Sequence, residues 1–172
     1  MALIKSVRGF TPVYGPECWF AENSTIVGEV IMGKQCTVWF NAVVRGDVNY
    51  IKIRDRTNIQ DNATIHGTFE KAPTTIGNDV SIGHNAIVHG CTLEDQVLVG
   101  MGAMVMDGAV VKTGSIVAAG AVVLEGTIVE ENSIYAGVPA KKVKDVDGKN
   151  REMLIRIAGN YLKYANWFKD GN

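Results

Sequence analysis

The chain has 172 residues, 47% of them hydrophobic and 20% charged, with a net charge of −1 and a pI near 6.3. That length suits a single domain, expected to span 1–172, and the charge balance offers no basic surface for nucleic acid or anionic lipid. The opening stretch "MALIKSVRGFTPVYG" holds no apolar run long enough for a signal peptide or membrane span. Cys18, Cys36 and Cys91 form no CxxC pair and read as reduced thiols of a cytoplasmic protein.

From about residue 12 an aliphatic or aromatic residue recurs every six positions: Phe20, Ile26, Met32, Val38 and Val44, then Ile53, Ile59 and Ile65. Two longer gaps, "VRGDVNYIK" and "IHGTFEKAPTT", interrupt the count. From Ile76 the units run on as "IGNDVS", "IGHNAI", "VHGCT" (one residue short), "LEDQVL", "VGMGAM", "VMDGAV" and onward to "VEENSI". The fifth position is small or β-branched, as at Val80, Ala86, Ala103 and Ala109, and Cys36 falls on it too. A period of six fits neither a helix nor a simple alternating strand. It fits strands of two or three residues joined by tight turns and stacked as a parallel solenoid, with the first residue inward and the small one at the corner. The chain should be mainly β. It resembles the hexapeptide-repeat, left-handed parallel β-helix family, in which three hexapeptides make one triangular coil. The left hand is implied by that resemblance.

The solenoid is expected over about 12–140. After "AGVPAKKV" the pattern changes. Leu154, Ile157, Tyr161, Tyr164 and Phe168 recur by threes and fours, which predicts an amphipathic C-terminal α-helix over about 148–170. Asp147 or Asn150 is placed to cap it, and its apolar stripe must lie on the solenoid or on a neighbouring chain.

All three histidines fall in one region. Ile65 and Val88 are three units apart, one full coil, so His66 and His89 are equivalent second positions on one face of adjacent coils, about 4.8 Å apart. Two imidazoles so placed can converge on one ion. His84 is a third position on the preceding face and should point elsewhere. If the solenoid trimerises about an axis parallel to its own, His84 of one chain can complete a site with His66 and His89 of the next, leaving a coordination position open. By the same count Arg45 lies beneath His66 and Asp61 beneath His84. Arg45 and Asp61 should then face each other across the interface as a bidentate pair, with Gln60 placed to reach a metal-bound water.

Arg45-Gly46-Asp47, then Gln60-Asp61, then His66, His84 and His89 resemble the pattern of the γ-class carbonic anhydrases, over nearly the whole chain. The resemblance implies a homotrimer with metal sites shared between adjacent chains. It implies Zn2+ on the three histidines and reversible hydration of carbon dioxide to bicarbonate by a zinc-bound hydroxide; the sequence itself leaves Fe2+ or Co2+ open as the native metal. Arg45, Asp47 and Asp61 would form the intersubunit network, Gln60 would orient the hydroxide, and Tyr161 or Tyr164, with Tyr161 favoured, would come near the metal. Val48 stands where an archaeal member has a glutamate, and the loop "GTFEKAPTT" carries one acid, Glu70. Proton removal is therefore expected to limit turnover. Two alternatives share the fold: an acyl-CoA-dependent acyltransferase, and a non-catalytic metal-binding or assembly homologue. Neither nucleic acid nor a membrane is expected as partner.

Overall fold

The first residue of every unit from Ile26 to Val129 is buried, and the small corner residues Ala86, Ala103, Ala109 and Ala121 are fully buried beside them. This single column of aliphatic side chains is the core of a parallel β-solenoid, seen in a computed structural model that describes residues 1–169. The fourth residue of many units turns the corner with a left-handed backbone. Asn62, Asn85, Gly102 and Gly120 (φ 60, 59, 65 and 68°) line one such edge, and Asn and Gly adopt that region at least cost.

Three faces result. The first contains Leu3–Lys5, Thr64–His66, Ile87–His89, Met104–Val105 and Val122–Val123. The second contains Val13–Tyr14, Thr74–Ile76, Thr92–Leu93, Val110–Val111 and Ile128–Val129. The third stacks Trp19–Phe20, Thr37–Val38, Asn58–Ile59, Ser81–Ile82, Leu98–Val99, Ile116–Val117 and Ser133–Ala136, and ends in an antiparallel strand, Lys141–Asp145. The pairing starts earlier than residue 12, because Leu3–Lys5 already lies in register with Thr25–Val27.

The first long gap proves to be strand. Val43–Ile53 runs unbroken from the first face to the second beside Thr25–Met32, with one register shift between Gly28 and Val30. Gly28 and Gly46 stack at that bend. A Cβ on Gly46 would stand 2.5 Å from the Glu29 carbonyl oxygen, so only glycine lets the two backbones meet. The Arg45-Gly46-Asp47 corner is thus a packing requirement as well as a display of two charges. The second gap is a loop closed by a bridge between Thr68 and Ala72.

Asp147 caps the helix Gly148–Lys169, its Oδ1 accepting the Asn150 backbone N–H at 2.8 Å. The helix lies on the third face of its own chain. Leu154 packs with Ile116 and Val146 near the late coils, and Phe168 lies 5.3 Å (ring centroids) from Trp19 of the first third-face strand. Its deepest residues are Leu154, Ala158 and Ala165. The two alanines bring the helix axis close to the sheet, so Ile157, Tyr161 and Tyr164 straddle the contact half-buried. The expected end at 170 lies outside the described residues. No described helix is long and apolar enough to cross a membrane.

Candidate metal centre

His66 and His89 are direct register partners on the first face. His66 Nδ1 stands 3.2 Å from His89 Nε2. Two nitrogens bound to one tetrahedral zinc at 2.0–2.1 Å are about 3.3 Å apart, so the pair is already spaced as two ligands of one ion.

The other nitrogen of each ring is held by a carboxylate. His66 Nε2 is 3.0 Å from Asp47 Oδ1, and His89 Nδ1 is 2.5 Å from Asp107 Oδ1. His84 repeats the arrangement, with Nδ1 2.8 Å from Asp61 Oδ2. A carboxylate on the outer nitrogen fixes the tautomer and turns the inner lone pair toward a cation, the usual support of a metal-binding histidine. Burial lowers the pKa of His66, with the Arg45 charge adding to it against the hydrogen bond to Asp47. It is kept in the neutral form that a metal requires. Burial raises the Asp47 carboxyl, but the hydrogen bonds from His66 and Arg45 outweigh it and leave Asp47 below the ordinary carboxylate range.

His84 sits at the other edge of the first face, where the chain arrives from the third. Among the described residues no cluster of three metal-capable side chains forms within one chain. The donors fall into two half-sites. One edge carries His66, His89, Arg45, Asp47 and Asp107; the other carries His84, Asp61, Gln60 and Tyr161. Arg45 does lie beneath His66, since Val44 pairs with Ile65, and Asp61 beneath His84, since Ile59 pairs with Ile82. Within the chain Arg45 bonds Asp47 at 2.6 Å, while Asp61 holds His84 and accepts the Phe40 N–H at 3.2 Å.

Gln60 is buried, and its orientation follows from a chain of hydrogen bonds. Asn58 Nδ2 donates to the Ser81 hydroxyl at 2.8 Å and faces the Val80 carbonyl at 3.4 Å, which can only accept. Asn58 Oδ1 must therefore face Gln60, which donates its Nε2 at 3.1 Å and keeps its carbonyl oxygen for other work. The Tyr161 hydroxyl is 3.4 Å from His84 Nε2. Burial, with the nearby Asp61 charge and Tyr164, pushes the Tyr161 phenol up to about 12, so it stays protonated. Tyr164 meets Tyr161 edge-on and packs at a tilt against Trp167. Between helix and third face an apolar cavity of about 410 Å³ is lined by Leu98, Met101, Ile116 and Ile157 and reaches Gln60 and Tyr161.

No protein-family model matches the chain. A probable carbonic anhydrase of Methanocaldococcus jannaschii is 51% identical, over 84% of this chain and 89% of its own. Gamma carbonic anhydrase 3 of Arabidopsis thaliana mitochondria is 45% identical over 90% of this chain, which spans 62% of that longer protein. The chain belongs to the γ-class carbonic anhydrase family. Among solved structures, a Bacillus cereus protein named as a candidate acetyltransferase superposes with a TM-score of 0.96 at 32% identity, covering 99% of both chains.

Beside the three histidines, the structure brings in three residues that the sequence pattern did not single out: Asn58, Thr68 and Asp107. Asn58 was legible in principle, as a polar residue two positions before Gln60 on a strand that the helix covers. Asp107 was not, because it stands one position out of step with His89.

Proposed function

We propose that the protein is a homotrimeric, zinc-dependent γ-class carbonic anhydrase that interconverts carbon dioxide and bicarbonate at sites shared between adjacent chains. The observation that carries this reading is the division of three carboxylate-held histidines between the two edges of one solenoid face. A second copy set against that face supplies the missing half. The same imidazole set accepts Fe2+ or Co2+. A cytoplasmic location accords with three free thiols, Cys18, Cys36 and Cys91.

A zinc ion held there would bring the pKa of a coordinated water toward about 7 and so supply a nucleophile at neutral pH. The residues do the rest. Asp47, Asp61 and Asp107 keep the ring protons on the outer nitrogens, so His66 Nδ1, His84 Nε2 and His89 Nε2 are the lone pairs presented. Gln60, with Nε2 committed to Asn58, keeps Oε1 free as an acceptor and would use it to orient the water that attacks carbon dioxide. Tyr161 keeps its neutral hydroxyl beside the His84 edge, within reach of a molecule bound there. Arg45, whose side chain is 45% exposed within one chain, is placed to reach Asp61 of the neighbour.

Mixing a His84→Ala variant with a His66→Ala variant tests the sharing directly. Refolded mixed trimers should recover metal and carbon dioxide hydration that neither parent shows, because some interfaces join two intact halves. Mixed trimers no better than either parent would end the shared-site reading. The acetyltransferase name borne by one solved relative makes acyl-CoA turnover the control, and turnover without metal would favour that alternative.

A further inference from the structure

The third carboxylate lies outside the family pattern read from the sequence. Its position depends on a glycine. The unit "VHGCT" is one residue short, and its corner is made by Gly90 at φ 56°. Val88 pairs with Val105, so Asp107 stacks one coil above Gly90. A Cβ on Gly90 would stand 2.5 Å from Asp107 Oδ1 and 2.8 Å from the Ala72 methyl. The absent side chain is therefore the space into which the Asp107 carboxylate leans to reach His89. Its other oxygen, Oδ2, accepts the Thr68 hydroxyl. Thr68 in turn is fixed by the Thr68–Ala72 bridge, and its carbonyl accepts from Asn49 Nδ2 at 3.2 Å. The Asp107 side chain is 18% exposed. Burial works against its ionised form, but the bonds from Thr68 and His89 prevail and hold its pKa below the ordinary range.

We infer that Asp107, locked by Thr68, is a positioning residue that sets the His89 tautomer, with the proton on Nδ1 and the lone pair on Nε2 beside His66. Free imidazole side chains favour the opposite tautomer, protonated on Nε2, which would blunt the atom that faces His66. The loop Gly67–Ala72 thereby becomes part of the metal centre without contributing a ligand. This inference rests on the metal-binding reading above.

The test compares the wild-type trimer with Asp107→Ala, Asp107→Asn and Thr68→Val. Zinc affinity is read by competition with a chromophoric chelator, and the His89 tautomer by nitrogen-15 NMR on metal-free protein. Asp107→Ala should weaken zinc binding about 10–100-fold and move the His89 proton to Nε2. Asp107→Asn keeps an acceptor oxygen and should restore most of both. Thr68→Val should give a smaller loss in the same direction, and it carries the test if Asp107→Ala fails to fold. A variant series with wild-type affinity, or a His89 tautomer that ignores Asp107, would overturn the inference while leaving the metal reading intact. A wild-type protein that binds no zinc would overturn both.

Discussion

Replacing Gly46 by alanine should be costly for a reason that lies entirely in the backbone. The new Cβ would stand 2.5 Å from the Glu29 carbonyl oxygen and 2.8 Å from its carbon, whereas ordinary contact begins at 3.4 Å. The neighbouring strand must retreat by the difference, about 0.9 Å, and no side chain can rotate away to relieve it. Overpacking of this kind costs about 3 kcal/mol. Gly120 supplies the control: φ is 68° and nothing lies within 4 Å of its would-be Cβ. Gly120→Ala therefore incurs only the left-handed penalty, about 1 kcal/mol. For a chain of this size the two should lower the melting temperature by about 6–12 °C and 2–4 °C respectively. The comparison requires metal-free protein at one fixed concentration, since ligand and assembly both shift the midpoint. Gly46→Ala should also lose metal affinity, because Asp47 would move from His66. If Gly46→Ala melts no lower than Gly120→Ala, the close strand approach at this corner is wrong.

Arg45→Ala should leave a partner's Asp61 without its counter-charge and weaken the trimer more than about tenfold; sedimentation at low micromolar concentration would show it, and an unchanged trimer would remove Arg45 from the interface. Turnover should be limited by proton removal, since Val48 cannot titrate and Glu70 is exposed on its loop. Then kcat rises with imidazole-type buffer while kcat/KM does not, and a buffer-independent kcat would refute this. Tyr161 should ionise above the ordinary phenol range. Its folded pKa of about 12 lies above the ordinary 10.0, so its contribution to stability is whole below pH 10 and is lost as the pH rises toward 12. An ultraviolet titration in which Tyr161→Phe removes no late step would contradict the burial that causes the shift.

The solenoid was legible because its period leaves one buried column, and that column reads directly as Ile, Val and Leu every six residues. The coil arithmetic likewise placed His66 over Arg45 and His84 over Asp61. It was weaker wherever the period breaks. "VRGDVNYIK" read as a gap because a strand that bends across two faces keeps no six-residue rhythm, and only the stacked Gly28 and Gly46 explain how it stays in the ladder. Asp107 escaped for a related reason. Counting finds residues at equal positions on successive coils, and here the contact crosses from a third position to a second, over a glycine that offers nothing in between. The helix stripe pointed to the right side of the helix, yet the alanines at 158 and 165 set how deeply it sits.

The last strand on the third face carries a consequence for the molecule among its own kind. A stack of parallel rungs has no natural end: each terminal rung presents unpaired amides and carbonyls that could template another chain, and repetition of that event makes fibres. At Lys141–Asp145 the chain doubles back antiparallel on Ser133–Ala136 with a register slip, and the strand "KKVKD" puts three lysines along the exposed border. A further solenoid would meet reversed polarity there, along a border of exposed charged side chains. The hairpin thus works as a chain terminator for that sheet, favouring a particle of fixed size over open-ended polymer, and shortening the protein before Lys141 would be expected to release that restraint as aggregation.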